Sequence, residues 1–400
     1  MRRTFRFPPP PNRRHFELEG GTGAPRSEST ERSRLPLCFC ILLISCSFYV
    51  FPSGLPQPGN IALAVLIATS FLTGSMRAGD IEGVAAPASV LVIYFTLISM
   101  IYLGRYADPD TALAPMYYLY NSLVFWLCAS LCIQYPRTMR ELISISCTII
   151  LLVQAVAVGL EYRLFVGSRA TGTLNDPNQV SYLCILVLYA KMVSHRRLRG
   201  DLSTFVCVLL AAYVILEAQS RSATIGLGAL VVVYLWFWRA SLSGRLVITI
   251  LLLFAAGFAA ERGIQMYDLA GSGPVMELLD RFREQGRDDT FAGRGYRNLV
   301  EYPQYLVFGA GEGARGRFNF ALEIHSTWAN ILFCYGMVGF LIFIWFLVRT
   351  FRGAPLFRTL LFIGPALYGI TTYGARFTMF WVALALAYGF TEVERRQLRH

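Results

Sequence analysis

Four hundred residues contain a single lysine, Lys191, and only four histidines, His15, His195, His325 and His400. Charge of either sign is scarce, at 15% of residues against 55% hydrophobic, and the apolar residues gather into runs of 15 to 24. A water-soluble core needs far less, so the composition excludes an ordinary soluble domain and points to a polytopic membrane protein. Cysteine is missing from the one long polar stretch, because all nine cysteines fall inside apolar segments. A disulfide framework is thereby excluded. Cys128 and Cys132 have helical spacing, but no histidine or carboxylate lies nearby in sequence to complete a zinc site, and we expect neither metal nor cofactor. The net charge of +11 could suggest nucleic acid, yet the arginines sit between apolar runs and mostly on one side. Nucleic acid is not an expected partner, since a binding domain would cluster them on one soluble surface.

Residues 1–34 are rich in Pro, Gly, Ser and Arg and lack apolar periodicity, which reads as a disordered tail. About 35 residues precede the first apolar run, too many for a cleavable signal peptide, so 35–51 reads as a retained span. Further spans follow at about 60–74, 84–103, 111–133, 141–160, 178–193, 202–218, 222–237, 245–260, 326–348, 355–372 and 376–390. The expected fold is an all-α integral membrane protein of about 12 transmembrane helices over 35–390, with a C-terminal tail at 391–400. An even number of spans puts both termini on one side. Short loops there carry Arg77, Arg137, Arg140, Lys191, Arg196, Arg197, Arg199, Arg239, Arg245, Arg349, Arg352 and Arg358, which makes that side cytoplasmic. The long loop 261–325, before the tenth span, lies on the outer face with eight arginines against ten carboxylates. It reads as partly helical: "SGPVMELLDRF" is amphipathic, and a shorter piece around Tyr296, Leu299 and Val300 stops before Pro303.

Arginines that this topology sets on the outer face beside a span are the candidates for chemistry. Arg221, in "EAQSRSATIG", stands between two apolar runs at the start of a helix, whose free amide groups attract anions. Pairing with Glu217, or snorkelling to lipid phosphates, is the alternative. Arg169 precedes "ATGTLNDPNQVSY", where Asp176 as N-cap, Pro177 at the first helical position and Gln179 explain a helix start but leave Arg169 and Asn178 unexplained. Arg294 is flanked by Gly293 and Gly295, Arg297 follows one turn later, and Arg376 stands beside the last span. Several guanidinium forks converging outside a membrane call for an anion, and they suit phosphate oxygens. His325, directly ahead of "STWANILFCYGMVG", can cap a helix, but Ser326 and Thr327 already supply cap oxygens. An imidazole, with its ordinary pKa near 6.5, can instead take a proton from a nucleophile, a role worth roughly 10² to 10⁴ in rate.

Taken in order, "RATGTLNDPNQVSY", "QSRSATIGLGAL", "GRGYRNLVEYPQYLVFGAGEGARGRF" and "EIHSTWANILFCYGMVG" resemble the bacterial O-antigen ligase and O-antigen polymerase family over roughly residues 165–345. The resemblance implies a metal-independent, inverting glycosyltransferase of the inner membrane, with its active site on the periplasmic face and loop 261–325 in the periplasm. It implies an undecaprenyl-pyrophosphate-linked glycan as donor, and a glycan or lipid A core sugar as acceptor. Membrane lipids and other polysaccharide-assembly proteins are the further partners to expect. By position, His325 matches the family histidine that activates the acceptor hydroxyl. Arg221 and Arg294 match the arginines that hold the pyrophosphate, with Arg169 as a further basic position; Asn178, Arg297 and Arg376, read from their own placement, are expected only to support them. A transporter or flippase of the same lipid-linked glycan is the rival reading. It would need polar residues along a path through the spans, whose interiors read as almost uncharged.

Overall fold

The computed structural model describes residues 26–52, 55–164, 169–195, 202–237, 293–318 and 323–399, and all regular structure among them is helical. The helices are α1 (Arg26–Ser45), α2 (Pro58–Leu72), α3 (Glu82–Tyr106), α4 (Pro109–Gln134), α5 (Pro136–Leu164), α6 (Pro177–Ser194), α7 (Leu202–Glu217) and α8 (Arg221–Phe237). The short α9 (Arg297–Glu301) leads to α10 (Thr327–Phe351), α11 (Leu356–Leu361), α12 (Ile363–Tyr368) and α13 (Thr378–Arg399). Helix falls on each expected span except 245–260, which lies outside the described residues, as does the amphipathic piece 272–282. Helix α1 begins at Arg26, inside the stretch read as a tail. Four helices, Glu82–Tyr106, Pro109–Gln134, Pro136–Glu161 and Thr327–Phe351, are long and apolar enough to cross a membrane. The protein is an α-helical membrane protein.

Local chemistry sets the helix starts. Asp176 caps α6, its carboxylate accepting from the amides of Asn178 (2.7 Å) and Gln179 (3.0 Å), with Pro177 filling the position that needs no donor. Ser326 caps α10 by accepting from the Ala329 amide at 3.2 Å. Buried Gln57 closes the loop ahead of α2, accepting from the amides of Val50 and Phe51 while donating to the Leu55 carbonyl.

Burial orders the bundle. Every residue of α6 from Val180 to Ser194 is buried, as is α13 from Thr378 to Phe390, so these two helices form its centre. Helix α13 packs on α4 and α6, α10 on α3, and α12 on α8. The outer helices turn large apolar side chains outward, among them Val65 and Phe71 of α2, Ile93 and Leu97 of α3, and Leu152 and Val156 of α5. Water would oppose such a surface, and lipid accepts it.

One part of the sequence reading needs correction. By sequence Lys191, Arg140 and Arg358 read as loop charges and the span interiors as almost uncharged. Helix α5 starts ahead of the expected span 141–160 and carries Arg140 into the bundle, whereas Lys191 and Arg358 lie within the expected spans 178–193 and 355–372, on α6 and α11. Arg358 is fully buried and donates to Glu394 at 2.9 Å, and Glu394 also pairs with Arg140 at 3.2 Å. Lys191, also fully buried, donates to the hydroxyls of Ser144 (2.9 Å), Thr148 (3.1 Å) and Ser203 (2.8 Å). These groups cluster at the end of the bundle away from His325 and find partners there, although the Arg358 Nε has no hydrogen-bond partner among the described residues.

Candidate functional site

The site begins with a break in α10. Gly336 has φ 67° and ψ −177°, and a Cβ there would stand 2.2 Å from the Val307 carbonyl oxygen. The break frees backbone groups that a membrane cannot hydrate, and the loop between α9 and α10 meets them. Amides of Ala310 and Gly311 donate to the carbonyls of Phe333 (2.9 Å) and Cys334 (2.8 Å). In return the amides of Met337 and Val338 donate to Leu306 (2.7 Å) and Val307 (3.3 Å).

This stitching drives the glycine-rich segment into the bundle and carries Glu312 with it. Its carboxylate is 1% exposed. Tyr373 donates to it at 2.6 Å, Tyr335 at 2.8 Å and Asn330 at 3.1 Å, and the Arg376 guanidinium stands 2.7 Å away. Arg376 also reaches Glu323 at 3.4 Å, and Glu323 is held by Arg315 at 2.8 Å, so four charges alternate in sign. Burial, and after it the Glu312 charge, push the Tyr373 phenol well above its ordinary pKa, keeping it a donor. Charge-assisted bonds of this kind offset the cost of taking a carboxylate out of water.

A second feature is the loop 369–376, between α12 and α13, on which the expected residues converge. The Arg294 guanidinium donates to the Thr371 carbonyl at 2.6 Å, and the Arg294 carbonyl accepts from the His325 amide at 3.1 Å. Thr327, two residues beyond His325, donates through its amide to Gly369 (2.7 Å) and Thr372 (3.1 Å), and its hydroxyl accepts from the Gly374 amide at 2.9 Å. The His325 side of the site is therefore fastened to this loop, with His325 itself exposed to solvent. At the loop's other end the Tyr368 hydroxyl donates to the Asn178 carbonyl at 2.6 Å, and the Asn178 side chain accepts from Arg169 at 3.2 Å. Arg169 donates also to the Ala218 carbonyl at 3.1 Å, close ahead of Arg221, which opens α8 and is half-buried.

The structure thus joins Arg169 to Asn178 and Arg294 to His325, and sets both pairs and Arg376 around one loop. Arg297 is different. It pairs with Glu301 one turn along α9 and is largely exposed. Glu312, Glu323 and Tyr373 were not singled out from the sequence. One signal was present for Glu312: a lone carboxylate among Gly309, Gly311 and Gly313 marks a charge on backbone able to pack closely.

Residues 206–344 match the family described as O-Antigen ligase. The matched stretch holds Arg221, Arg294, Glu312 and His325, while Arg169, Asn178 and Arg376 lie outside it. No curated protein matches the chain.

Proposed function

We propose, from the O-antigen ligase and polymerase family as premise, that the protein transfers glycan from an undecaprenyl-diphosphate donor onto a sugar hydroxyl. The setting is the periplasmic face of the bacterial inner membrane, with twelve crossings and both termini in the cytoplasm. One observation carries this reading: the backbone contact at 3.1 Å between His325 and Arg294, on the loop that also links to Arg169 through Tyr368 and Asn178. A proton acceptor and a set of fixed cations then share one platform.

In the proposed step the acceptor hydroxyl gives its proton to His325 as its oxygen bonds to the anomeric carbon. The bond from that carbon to the diphosphate oxygen breaks, and the diphosphate leaves with the electron pair. Attack opposite the leaving group inverts the anomeric centre. Arg294, Arg221 and Arg169 supply the positive charge that the leaving diphosphate needs, which makes the reading metal-independent. Guanidinium groups fixed beforehand act most strongly where charge develops in a partly dehydrated site. The donor's own phosphate bond provides the driving force. The "HSTWANILFCYGMVG" form inclines the reading towards chain extension rather than transfer to lipid A core.

Replacing His325 by Ala is expected to abolish product while the lipid-linked donor accumulates and the protein stays in the membrane. Normal glycan in that strain would remove His325 from the reaction. Gel analysis of glycans from a deletion strain separates the two transfers. A single repeat left on the acceptor means a polymerase, whereas intact polymer left on its lipid carrier means a ligase.

A further inference from the structure

Helices α3 and α10 pack side by side in opposite directions, with Arg349 near the end of α10 donating to the Gly83 carbonyl at the start of α3 at 3.0 Å. Their midpoints meet: a Cβ on Gly339, halfway along α10, would stand 3.1 Å from the ring of Tyr94, halfway along α3. Both helices are long and apolar enough to cross a membrane, so this level is close to the middle of the bilayer. A stretch that is not helical reaches it. In segment 305–311 the Phe308 carbonyl accepts from the Tyr94 hydroxyl at 3.2 Å, and the Val307 carbonyl from the Val338 amide at 3.3 Å. At 1.5 Å per residue Tyr94 lies roughly 18 Å from the end of α3 on the His325 side, which takes the segment about halfway into a hydrocarbon core near 30 Å thick.

Three further observations say what the segment touches. Every carbonyl from 305 to 311 has a donor inside the protein. Besides the two just named, Tyr305 accepts from the Gly309 amide (2.8 Å), Leu306 from the Met337 amide (2.7 Å), Gly309 from the Tyr102 hydroxyl (2.9 Å), and Ala310 and Gly311 from the Arg317 guanidinium. Water would serve these groups on a surface loop, whereas hydrocarbon cannot. The tip also turns apolar side chains outward, with Phe308 66% exposed and Val307 53%. Ile93, next to Tyr94, and Met337, bonded to Leu306, are exposed as well, so the tip continues the lipid-facing surface of α3 and α10. Finally, the Arg317 guanidinium lies 4.6 Å from the centres of the Tyr102 and Phe318 rings, a setting that suits a cation short of water.

We propose that segment 305–311 is a re-entrant wedge that dips from the His325 side to near the middle of the bilayer, with lipid hydrocarbon as its partner at Val307 and Phe308. Part of the long loop 261–325 then lies inside the membrane rather than beyond it. Glu312 follows the wedge directly, so immersion of the tip seats that carboxylate beside Tyr373 and Arg376. The wedge requires no particular donor or reaction.

Full-length Phe308→Cys protein carrying a nitroxide label is placed in vesicles of phosphatidylethanolamine and phosphatidylglycerol, and the wild-type signal from native cysteines is subtracted. Collisions with oxygen, which dissolves in hydrocarbon, should be frequent and collisions with a water-soluble nickel chelate rare. That pattern should match Leu97→Cys on the exposed face of α3 and be opposite to Gly316→Cys, an exposed position beyond the wedge. Frequent nickel collisions would put the tip in water, and low accessibility to both reagents would mean that protein covers it; either result overturns the wedge. Phe308→Trp gives a second reading should the labelled variant fail to fold. Its added fluorescence should be quenched more by lipids brominated in mid-chain than by aqueous iodide, and the reverse order overturns the proposal. A third arm compares thermal midpoints in the same vesicles. Phe308→Asp should lower the midpoint by more than Val300→Asp on exposed α9, because only the first puts a charge into hydrocarbon. An equal or smaller fall also overturns the wedge.

Discussion

Glu312 gathers four partners from two elements: Asn330 and Tyr335 on α10, Tyr373 and Arg376 on the loop before α13. Removing the carboxylate would leave Arg376 with only the longer contact to Glu323 and would strand the Asn330 and Tyr335 donors. Glu312→Ala is therefore expected to cost about 3 to 5 kcal/mol, the usual penalty for breaking a buried pair from one side. The thermal inactivation midpoint in detergent measures it. Adding Arg376→Leu should recover part of the loss, because the second change removes the stranded charge. Full stability in Glu312→Ala alone would show that the cluster contributes little. The partners of Glu312 were not legible in the sequence, since none is closer than Asn330 and the two on the loop are about 60 positions away. His325 drew attention by scarcity, as one of four histidines, and Arg294 and Arg169 by their place close to apolar runs, and the structure sets all three around loop 369–376.

Helix starts followed from short-range rules, and Asp176, Pro177 and Ser326 act as their types suggest. The break in α10 did not. A glycine within an apolar run reads as an ordinary part of a span, and the groups that satisfy the break come from Leu306 to Gly311, far behind it in sequence. Gly336→Ala meets both a positive φ and a Cβ 2.2 Å from the Val307 oxygen. It should lower stability by at least about 1 to 2 kcal/mol from the left-handed backbone alone. Gly228→Ala is the matched control: this exposed glycine of α8 has nothing within 4 Å of an added Cβ, so the change should be neutral or gain up to about 1 kcal/mol. Chemical denaturation of both variants in mixed micelles checks the pair. Equal midpoints would mean that the break relaxes at no cost.

At the scale of the molecule, the helical membrane architecture was legible from run length and composition alone, while the depth of individual charges was not. Arg358 and Lys191 count by charge as loop residues but lie in the interior near the ends of their spans, because Glu394 and the hydroxyls of Ser144, Thr148 and Ser203, distant in sequence, meet them there. The orientation proposed from the arginine distribution makes a further prediction. Alkaline phosphatase inserted at the exposed Gly316 should be active, and the same reporter after the C-terminus should be inactive. The reverse pattern would turn the protein over and place His325 in the cytosol.

Loop 369–376 carries one more implication. Its carbonyls seat Arg294 and Thr327, yet it lies beyond the stretch 206–344 that marks the family. A transplant of that stretch into a foreign helical host would bring Arg221, Arg294 and His325, the side chains proposed for the transfer, without the seat that Arg294 and Thr327 rest on. Such a chimera should stay silent until the host is also given residues 368–376, which would make the inheritable unit of the proposed chemistry larger than its signature.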